Sequence, residues 1–172
     1  MPQTSQFYRE ISWLAGQGIS TGYPDGTFRP VQPVNRDAMA AFLYRLAGSP
    51  DYTPPAATPF SDVPQTSQFY KEITWLASKG ITTGYGDYTY RPLQPVNRDA
   101  MAAFLYRFAG APTYTQPARS PFRDIAVSTQ FYREMSWLAD KGVSTGWTED
   151  NSYRPLQPVN RDAMAAFMYR VS

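Results

Sequence analysis

Three arginines stand at the same position of a repeated peptide, and they have the clearest capacity for binding chemistry in this sequence. Arg36, Arg98 and Arg161 each follow an asparagine and precede an aspartate, in peptides that span 35–45, 97–107 and 160–170. A guanidinium group presents a planar fork of N–H donors that matches a carboxylate in bidentate fashion and stays charged. The repetition therefore predicts three similar sites for anionic groups.

The helix that follows each arginine makes this position unusual. Asn35 is a suitable N-cap, Asp37 lies in the first turn, and the apolar spacing predicts a helix over 35–47. A cation at the first helical position opposes the helix dipole by about 0.3–1 kcal/mol. Two alternatives could compensate for this cost. The arginine pairs either with an incoming anion or with a carboxylate across a repeat interface, which Asp62, Asp124 or the adjacent acid could supply. Free N–H groups at the helix start would add to an anion site.

Aromatic and acidic residues in the turns are further binding candidates. Tyr23, Tyr85 and Trp147 precede turns of variable sequence, where they either stack on sugar faces or pack against helix ends. Asp62 and Asp124 open the second and third copies, where they either accept sugar hydroxyls or cap a turn.

Each copy also begins with another helix, which precedes the turn and is the first helix of the repeat. Apolar residues from Phe7 to Leu14 recur at helical spacing and predict a helix over 5–17, capped by Thr4 or Ser5. The glycine and isoleucine that follow predict a Schellman motif. A short strand or extended segment is expected over 27–31. The tryptophans of this helix lie off its apolar stripe, and packing between repeats is their expected role (Trp13, Trp75 and Trp137).

These elements recur in triplicate and predict a mainly α fold. The repeats cover 1–48, 59–110 and 121–172, and proline-rich linkers cover 49–58 and 111–120. One helix–turn–helix unit cannot bury both of its amphipathic helices, whereas three units can pack about a pseudo-threefold axis with short extended segments between them. The first copy lacks the leader that opens the other two, so we expect the natural repeat to begin upstream.

Composition excludes several classes of function. The net charge is +2 with dispersed basic residues, which argues against nucleic-acid binding. No apolar run is long enough for membrane insertion. The absence of Cys and His removes thiol and His-based catalysis and the usual zinc sites. The turn aspartates are too few for calcium, and Glu10, Glu72 and Glu134 are interpreted as helix-face charges. No metal site, cofactor or catalysis is predicted.

The ordered motifs resemble a known family. Five motifs in a fixed order are similar to the S-layer homology (SLH) repeat. They are Ile11-x-Trp13-Leu14-Ala15, Gly18-Ile19, 22–30 (Gly-Tyr-Pro-Asp-Gly-Thr-Phe-Arg-Pro), Val34-x-Arg36 and Met39-Ala-Ala-Phe. The leader 60–63 (Phe-Ser-Asp-Val) is similar to the opening of such repeats. The resemblance implies a pseudo-symmetric bundle that anchors secreted bacterial proteins at the cell surface by binding secondary cell-wall polymers, often pyruvylated. The family's Thr-Arg-Ala-Glu motif, which contributes to its glycan grooves, is replaced here by Asn35-Arg36-Asp37-Ala38.

The predicted function is therefore non-catalytic binding of an anionic cell-wall polysaccharide. A further domain is expected upstream in a longer protein. A protein-interaction or self-assembly module of a surface protein is the alternative, and a wall-acting enzyme is a third hypothesis that the missing His and Cys oppose.

Overall fold

The computed structural model describes residues 3–172, which form six helices, two in each repeat. They are α1 (Tyr8–Gly16), α2 (Arg36–Leu46), α3 (Tyr70–Ser78), α4 (Arg98–Phe108), α5 (Tyr132–Asp140) and α6 (Arg161–Val171). The prediction of a mainly α fold built from three repeats is confirmed. In the described part of the chain the only β structure is a set of isolated bridges, so the segment predicted over 27–31 forms no strand.

The first helix of each repeat begins later than predicted. Its N-cap residue is Phe7, in the left-handed region at φ 58°, and no side chain caps it. The cap predicted at Thr4 or Ser5 is therefore wrong, because the Ser5 carbonyl and the Tyr8 N–H close a turn ahead of the helix at 3.1 Å. The Schellman motif is confirmed: the Ile19 N–H donates to the Leu14 carbonyl at 3.0 Å, with the intervening glycine at positive φ.

Three valines close the bundle around its pseudo-threefold axis. The Val34 N–H donates to the Val159 carbonyl, the Val159 N–H to the Val96 carbonyl, and the Val96 N–H to the Val34 carbonyl, at 2.8–2.9 Å. All three side chains are buried. This cyclic set of bonds places the starts of α2, α4 and α6 side by side. The second helices contribute more buried residues than the first helices, and Met39, Met101 and Met164 are fully buried.

The principal helix pairs form between repeats. They are α2 with α3, α4 with α5, and α6 with α1, so the last repeat closes onto the first. The tryptophans follow this pairing, since Trp75 meets Tyr44 edge-on with ring centroids 5.3 Å apart. Trp137 with Tyr106 and Trp13 with Tyr169 repeat the contact. The predicted inter-repeat role of the tryptophans is confirmed.

Candidate functional site

Each of the three predicted arginines begins a second helix and reaches into a neighbouring repeat. Arg36, Arg98 and Arg161 are only 6%, 8% and 8% exposed. Their Nε atoms donate to the carbonyls of Tyr90, Tyr153 and Phe28 at 2.6, 2.8 and 2.7 Å. The ion pairs among residues 3–172 involve other arginines. The carboxylate partner considered from the sequence is therefore not observed, and a backbone carbonyl takes its place.

Aromatic rings surround each guanidinium group. The Cζ atom of Arg36 lies 5.0, 4.6 and 5.4 Å from the ring centroids of Tyr85, Tyr90 and Phe104. Equivalent rings surround the other two, at 4.5–5.6 Å: Trp147, Tyr153 and Phe167 around Arg98, and Tyr23, Phe28 and Phe42 around Arg161. Cation–π attraction thus compensates for the unfavourable position at the helix start. Burial lowers the pKa of the guanidinium groups of Arg98 and Arg161.

The predicted free N–H groups at the helix starts are not free. The N–H groups of Arg36 and Asp37 donate to the carbonyls of Gln94 and Pro92 at 3.0 Å, and the other two helices repeat this arrangement. The Ala38 N–H donates to the Asp37 carboxylate at 2.6 Å. A helix-terminus anion site was therefore the wrong expectation, because the adjacent repeat supplies acceptors that the sequence of one repeat does not reveal.

Each arginine contributes to an open groove between repeats. Groove 1 contains Tyr23 and Arg161, groove 2 contains Tyr85 and Arg36, and groove 3 contains Trp147 and Arg98, with volumes of about 420, 380 and 500 Å³. Every groove combines a turn and a second helix from one repeat, the start of the first helix from the next repeat, and the arginine of the third. Sites of this size suit small polar ligands.

The terminal nitrogens of these arginines remain available in the grooves. In Arg98 and Arg161 one terminal nitrogen, Nη2, donates to the hydroxyls of Ser144 and Ser20 at 2.9 and 3.3 Å. Arg36 has no such bond to a described residue, although a threonine lines its groove at the equivalent position. None of these terminal nitrogens is a buried atom without a partner. The terminal nitrogens that lack a hydrogen bond to residues 3–172 are therefore not fully enclosed.

The predicted aromatic residues stand at the groove walls but already contact arginines. Tyr23, Tyr85 and Trp147 are half-buried. Arg29, Arg91 and Arg154 lie over their rings, with Cζ 3.9, 3.8 and 4.1 Å from the centroids. Each of these arginines also pairs with a turn aspartate at 2.9–3.3 Å. The rings thus pack between two cations. This differs from the packing against helix ends that the sequence suggested as an alternative. The stacking of sugars on these rings stays a prediction.

Asp62 and Asp124 lie outside the lining of the three grooves. Each carboxylate accepts two successive backbone N–H groups at 2.7 Å, from Tyr90 and Arg91 in one repeat and from Tyr153 and Arg154 in the other. This contact fixes the leader against the turn, as the structural interpretation expects. Their contact with sugar hydroxyls stays a prediction.

Two further residues of each repeat line the grooves and were not predicted as binding residues. One kind is the last-turn arginine of the second helix: Arg45 lines groove 1, Arg107 groove 2 and Arg170 groove 3. A carboxyl group also lines each groove, from Asp37, Asp99 and Asp162, and burial raises the pKa of all three. Their identical positions in the repeated peptide were the available signal.

The described part of the chain offers neither a metal cluster nor a membrane-spanning helix. Residues 3–172 contain no group of three or more Asp, Glu, His or Cys side chains placed to hold a metal ion. None of the helices in this part of the chain has the length and apolarity needed to cross a membrane.

Three curated relatives share segments with this chain. Cell surface glycoprotein 1 of Acetivibrio thermocellus is 28% identical over 87% of the chain, and the cellulosome-anchoring protein of the same organism is 30% identical over 56%. An endoglucanase of Bacillus sp. is 27% identical over 77% of the chain. The aligned segments span only 7%, 22% and 14% of these proteins.

The family comparison covers most of the sequence. The model of the S-layer homology domain matches residues 1–40, 59–102 and 121–165, which are the three structural repeats. The matched segments include the turns, the leaders of the second and third repeats and the starts of the second helices. With its three matched repeats and its closed bundle, the chain belongs to the S-layer homology domain family.

Proposed function

We propose that this chain is a non-catalytic module that anchors a bacterial protein to the cell wall by binding an anionic polysaccharide in its three grooves. The observation that carries the proposal is the cradle repeated in each groove, where a guanidinium group surrounded by aromatic rings lines the groove and keeps terminal N–H donors without a partner among residues 3–172. Family membership and the names of two relatives support location at the cell surface.

The chemistry of the grooves fits acidic saccharides. Because Nε of Arg36 is engaged by a carbonyl, an incoming carboxylate meets the terminal nitrogens end-on. Arg107 supplies a second cation in the same groove, and aromatic and amide side chains offer apolar and hydrogen-bonding contacts to a sugar ring. A uronate or a pyruvate ketal provides the carboxylate that this arrangement recognises.

Three grooves on one rigid bundle favour a polymer over a single sugar. When a polymer reaches a second groove, linkage raises the overall affinity by roughly 10²–10⁴ over one site. Weak individual grooves therefore suffice for stable attachment. The proposed anchoring involves no catalysis by this chain. We assign the activity named for the endoglucanase relative to a part of that protein outside the shared segment.

The test is sedimentation of the protein with purified, protein-free wall sacculi. We expect the protein to pellet with untreated sacculi and to stay in the supernatant after mild acid removes pyruvate ketals. Retention after acid treatment would point to a uronate as the anionic group. Failure to pellet with any sacculus preparation would refute the proposal.

A docking surface for other proteins is the second candidate. Val31, Leu93 and Leu156 occupy equivalent positions in the repeats and are 74%, 74% and 72% exposed. Exposed apolar residues in a repeated arrangement are typical of interaction surfaces. A module of this kind would not bind protein-free sacculi and would pellet only with sacculi that retain their wall-associated proteins.

A further inference from the structure

Groove 3 differs from the other two grooves in one wall, because the turn of the third repeat has an extra residue. Between the groove aromatic and the turn aspartate, the first two repeats have only Pro24 and Gly86, whereas the third repeat has Thr148 and Glu149. Both residues of the longer turn line groove 3, whose volume of about 500 Å³ exceeds the 420 and 380 Å³ of grooves 1 and 2. The insertion therefore extends the wall of a single groove.

Backbone hydrogen bonds hold this extended wall in place. Trp147 and Ser152 exchange two backbone bonds, at 2.8 and 3.2 Å, and so close a small hairpin. In the first repeat the Tyr23 carbonyl instead accepts the Gly26 N–H at 2.9 Å, which gives a tighter turn. The Asp150 carboxylate accepts the Ser152 N–H at 3.2 Å, as the other turn aspartates do in their repeats. The extra residue is thus fixed between the groove aromatic and the turn aspartate.

The other walls of groove 3 repeat those of grooves 1 and 2. Phe7 lines groove 3 as Phe69 lines groove 1 and Phe131 lines groove 2. Two arginines and the first-turn aspartate of a second helix also line each groove. Glu149 is therefore the charged lining residue of groove 3 that has no counterpart in the lining of the other two.

The charge of Glu149 is not neutralised by a neighbouring cation. Glu149 is exposed, and none of the ion pairs within residues 3–172 includes it. The arginines on this turn, Arg123 and Arg154, both pair with Asp150, at 3.1 and 3.3 Å. Two arginines against one aspartate give grooves 1 and 2 a formal charge of +1 each, whereas two arginines against Asp162 and Glu149 give groove 3 a charge of zero.

We propose that groove 3 selects a zwitterionic sugar unit, one that carries both a carboxylate and a protonated amino group. The guanidinium group of Arg98 binds the carboxylate, and the Glu149 carboxylate accepts hydrogen bonds from the ammonium group. Groups of opposite charge in one groove also fix the orientation of a ligand with matching charges. This assignment rests on the proposed glycan binding and names the polymer unit that groove 3 takes, whereas grooves 1 and 2 take units that are acidic only.

The experiment compares two sugars that differ only in the charge on nitrogen. Muramic acid carries a carboxylate and a protonated amine at about pH 6, whereas N-acetylmuramic acid keeps only the carboxylate charge. In NMR titrations the amide signals of Tyr23, Tyr85 and Glu149 report on grooves 1, 2 and 3. We expect muramic acid to bind groove 3 about two- to fivefold more tightly than its N-acetyl form, which is the gain from one exposed ion pair. Grooves 1 and 2 should show no such gain.

Two protein variants assign the preference to one carboxylate. Glu149→Gln removes the negative charge and nearly keeps the shape of the side chain, whereas Asp140→Asn removes a charge at an exposed position of α5 that lines none of the grooves. We expect Glu149→Gln to lose the preference for muramic acid at groove 3 and still to bind N-acetylmuramic acid there. Asp140→Asn should keep the preference, and both variants should keep the melting temperature.

The possible outcomes distinguish this assignment from the proposed function. Equal affinities for the two sugars at groove 3, a preference that survives in Glu149→Gln, or no saturable binding at groove 3 would overturn the assignment. If N-acetylmuramic acid nevertheless binds grooves 1 and 2, the proposed glycan binding stands without it. A gain for the amine at groove 3 in a protein that fails to pellet with any sacculi would instead refute wall anchoring and leave the specificity of groove 3 intact.

Discussion

Replacement of single groove arginines by lysine is the sharpest test of the proposed glycan sites. Lysine keeps the positive charge but loses the planar fork, so it separates bidentate recognition from simple attraction. Arg36 retains both terminal nitrogens for a ligand, whereas Arg98 and Arg161 each give one N–H to a serine hydroxyl. We therefore expect Arg36→Lys to cause the largest loss of affinity.

The expected loss of affinity follows from the hydrogen bonds to the ligand that the substitution removes. A hydrogen bond to a charged group contributes about 1.5–3 kcal/mol, so removal of one arm of the fork weakens a single groove about ten- to a hundredfold. The measurement is isothermal titration calorimetry with short acidic oligosaccharides from purified wall polymer, chosen to occupy one groove at a time. Arg133→Lys on the exposed face of α5 is the matched control.

Stability has to be followed in parallel, because each groove arginine is also part of the fold. The lysine ammonium can replace the Nε bond to the carbonyl of the neighbouring repeat but not the stacking of the guanidinium plane. A melting temperature close to that of the unmodified protein makes a loss of affinity interpretable. Unchanged affinity in all three lysine variants, or an equal loss in Arg133→Lys, would refute the bidentate mechanism.

Three further substitutions test individual contacts. Burial raises the pKa of Asp99 above 3.8, so the free energy of unfolding falls as pH rises through that raised pKa. Asp99→Asn should remove this pH dependence in thermal melts. It should also tighten the binding of acidic oligosaccharides at neutral pH. Asp62→Ala leaves two backbone N–H groups without an acceptor and should cost about 2–4 kcal/mol in denaturant unfolding, whereas Asp51→Ala at an exposed linker position should have little effect. Gly84→Ala and Gly22→Ala introduce similar backbone strain at φ +67° and +72°, but among residues 3–172 only the Gly84 substitution meets a phenylalanine, Phe60. It should therefore be the more destabilising by about 1–3 kcal/mol, and equal melting temperatures would contradict the packing of Phe60.

Local sequence signals predicted the elements that depend on local physics. The Gly18-Ile19 pair specifies a Schellman motif because only glycine takes the left-handed position without cost, and the helix over Arg36–Leu46 follows from apolar spacing. The threefold bundle followed from the repetition itself. The first-helix cap failed because a backbone turn, and not a hydroxyl side chain, opens α1.

The candidate site was predicted only in part, because its polar partners come from other repeats. The repeated sequence indicated Arg36 as a candidate binding residue but gave no means to see that the Tyr90 carbonyl accepts a hydrogen bond from its Nε, or that the Gln94 carbonyl accepts one from its backbone N–H. Hydrogen bonds across 54 and more residues leave no periodic signal in one copy. Arg107 was equally visible in the sequence, yet its place in the groove depends on helices that pair between repeats.

The cyclic pairing makes each groove a property of the whole bundle. Groove 2 takes its turn and helix from the second repeat, Phe131 from the third, and Arg36 from the first. Removal of any repeat would therefore dismantle every groove, and one repeat alone carries no complete site. The valine ring at the axis sets the helix starts at fixed positions, so the three guanidinium groups are oriented by the same bonds that close the fold. Bundle closure and the proposed glycan binding thus depend on the same short peptide, which recurs almost unchanged in a chain whose turns vary.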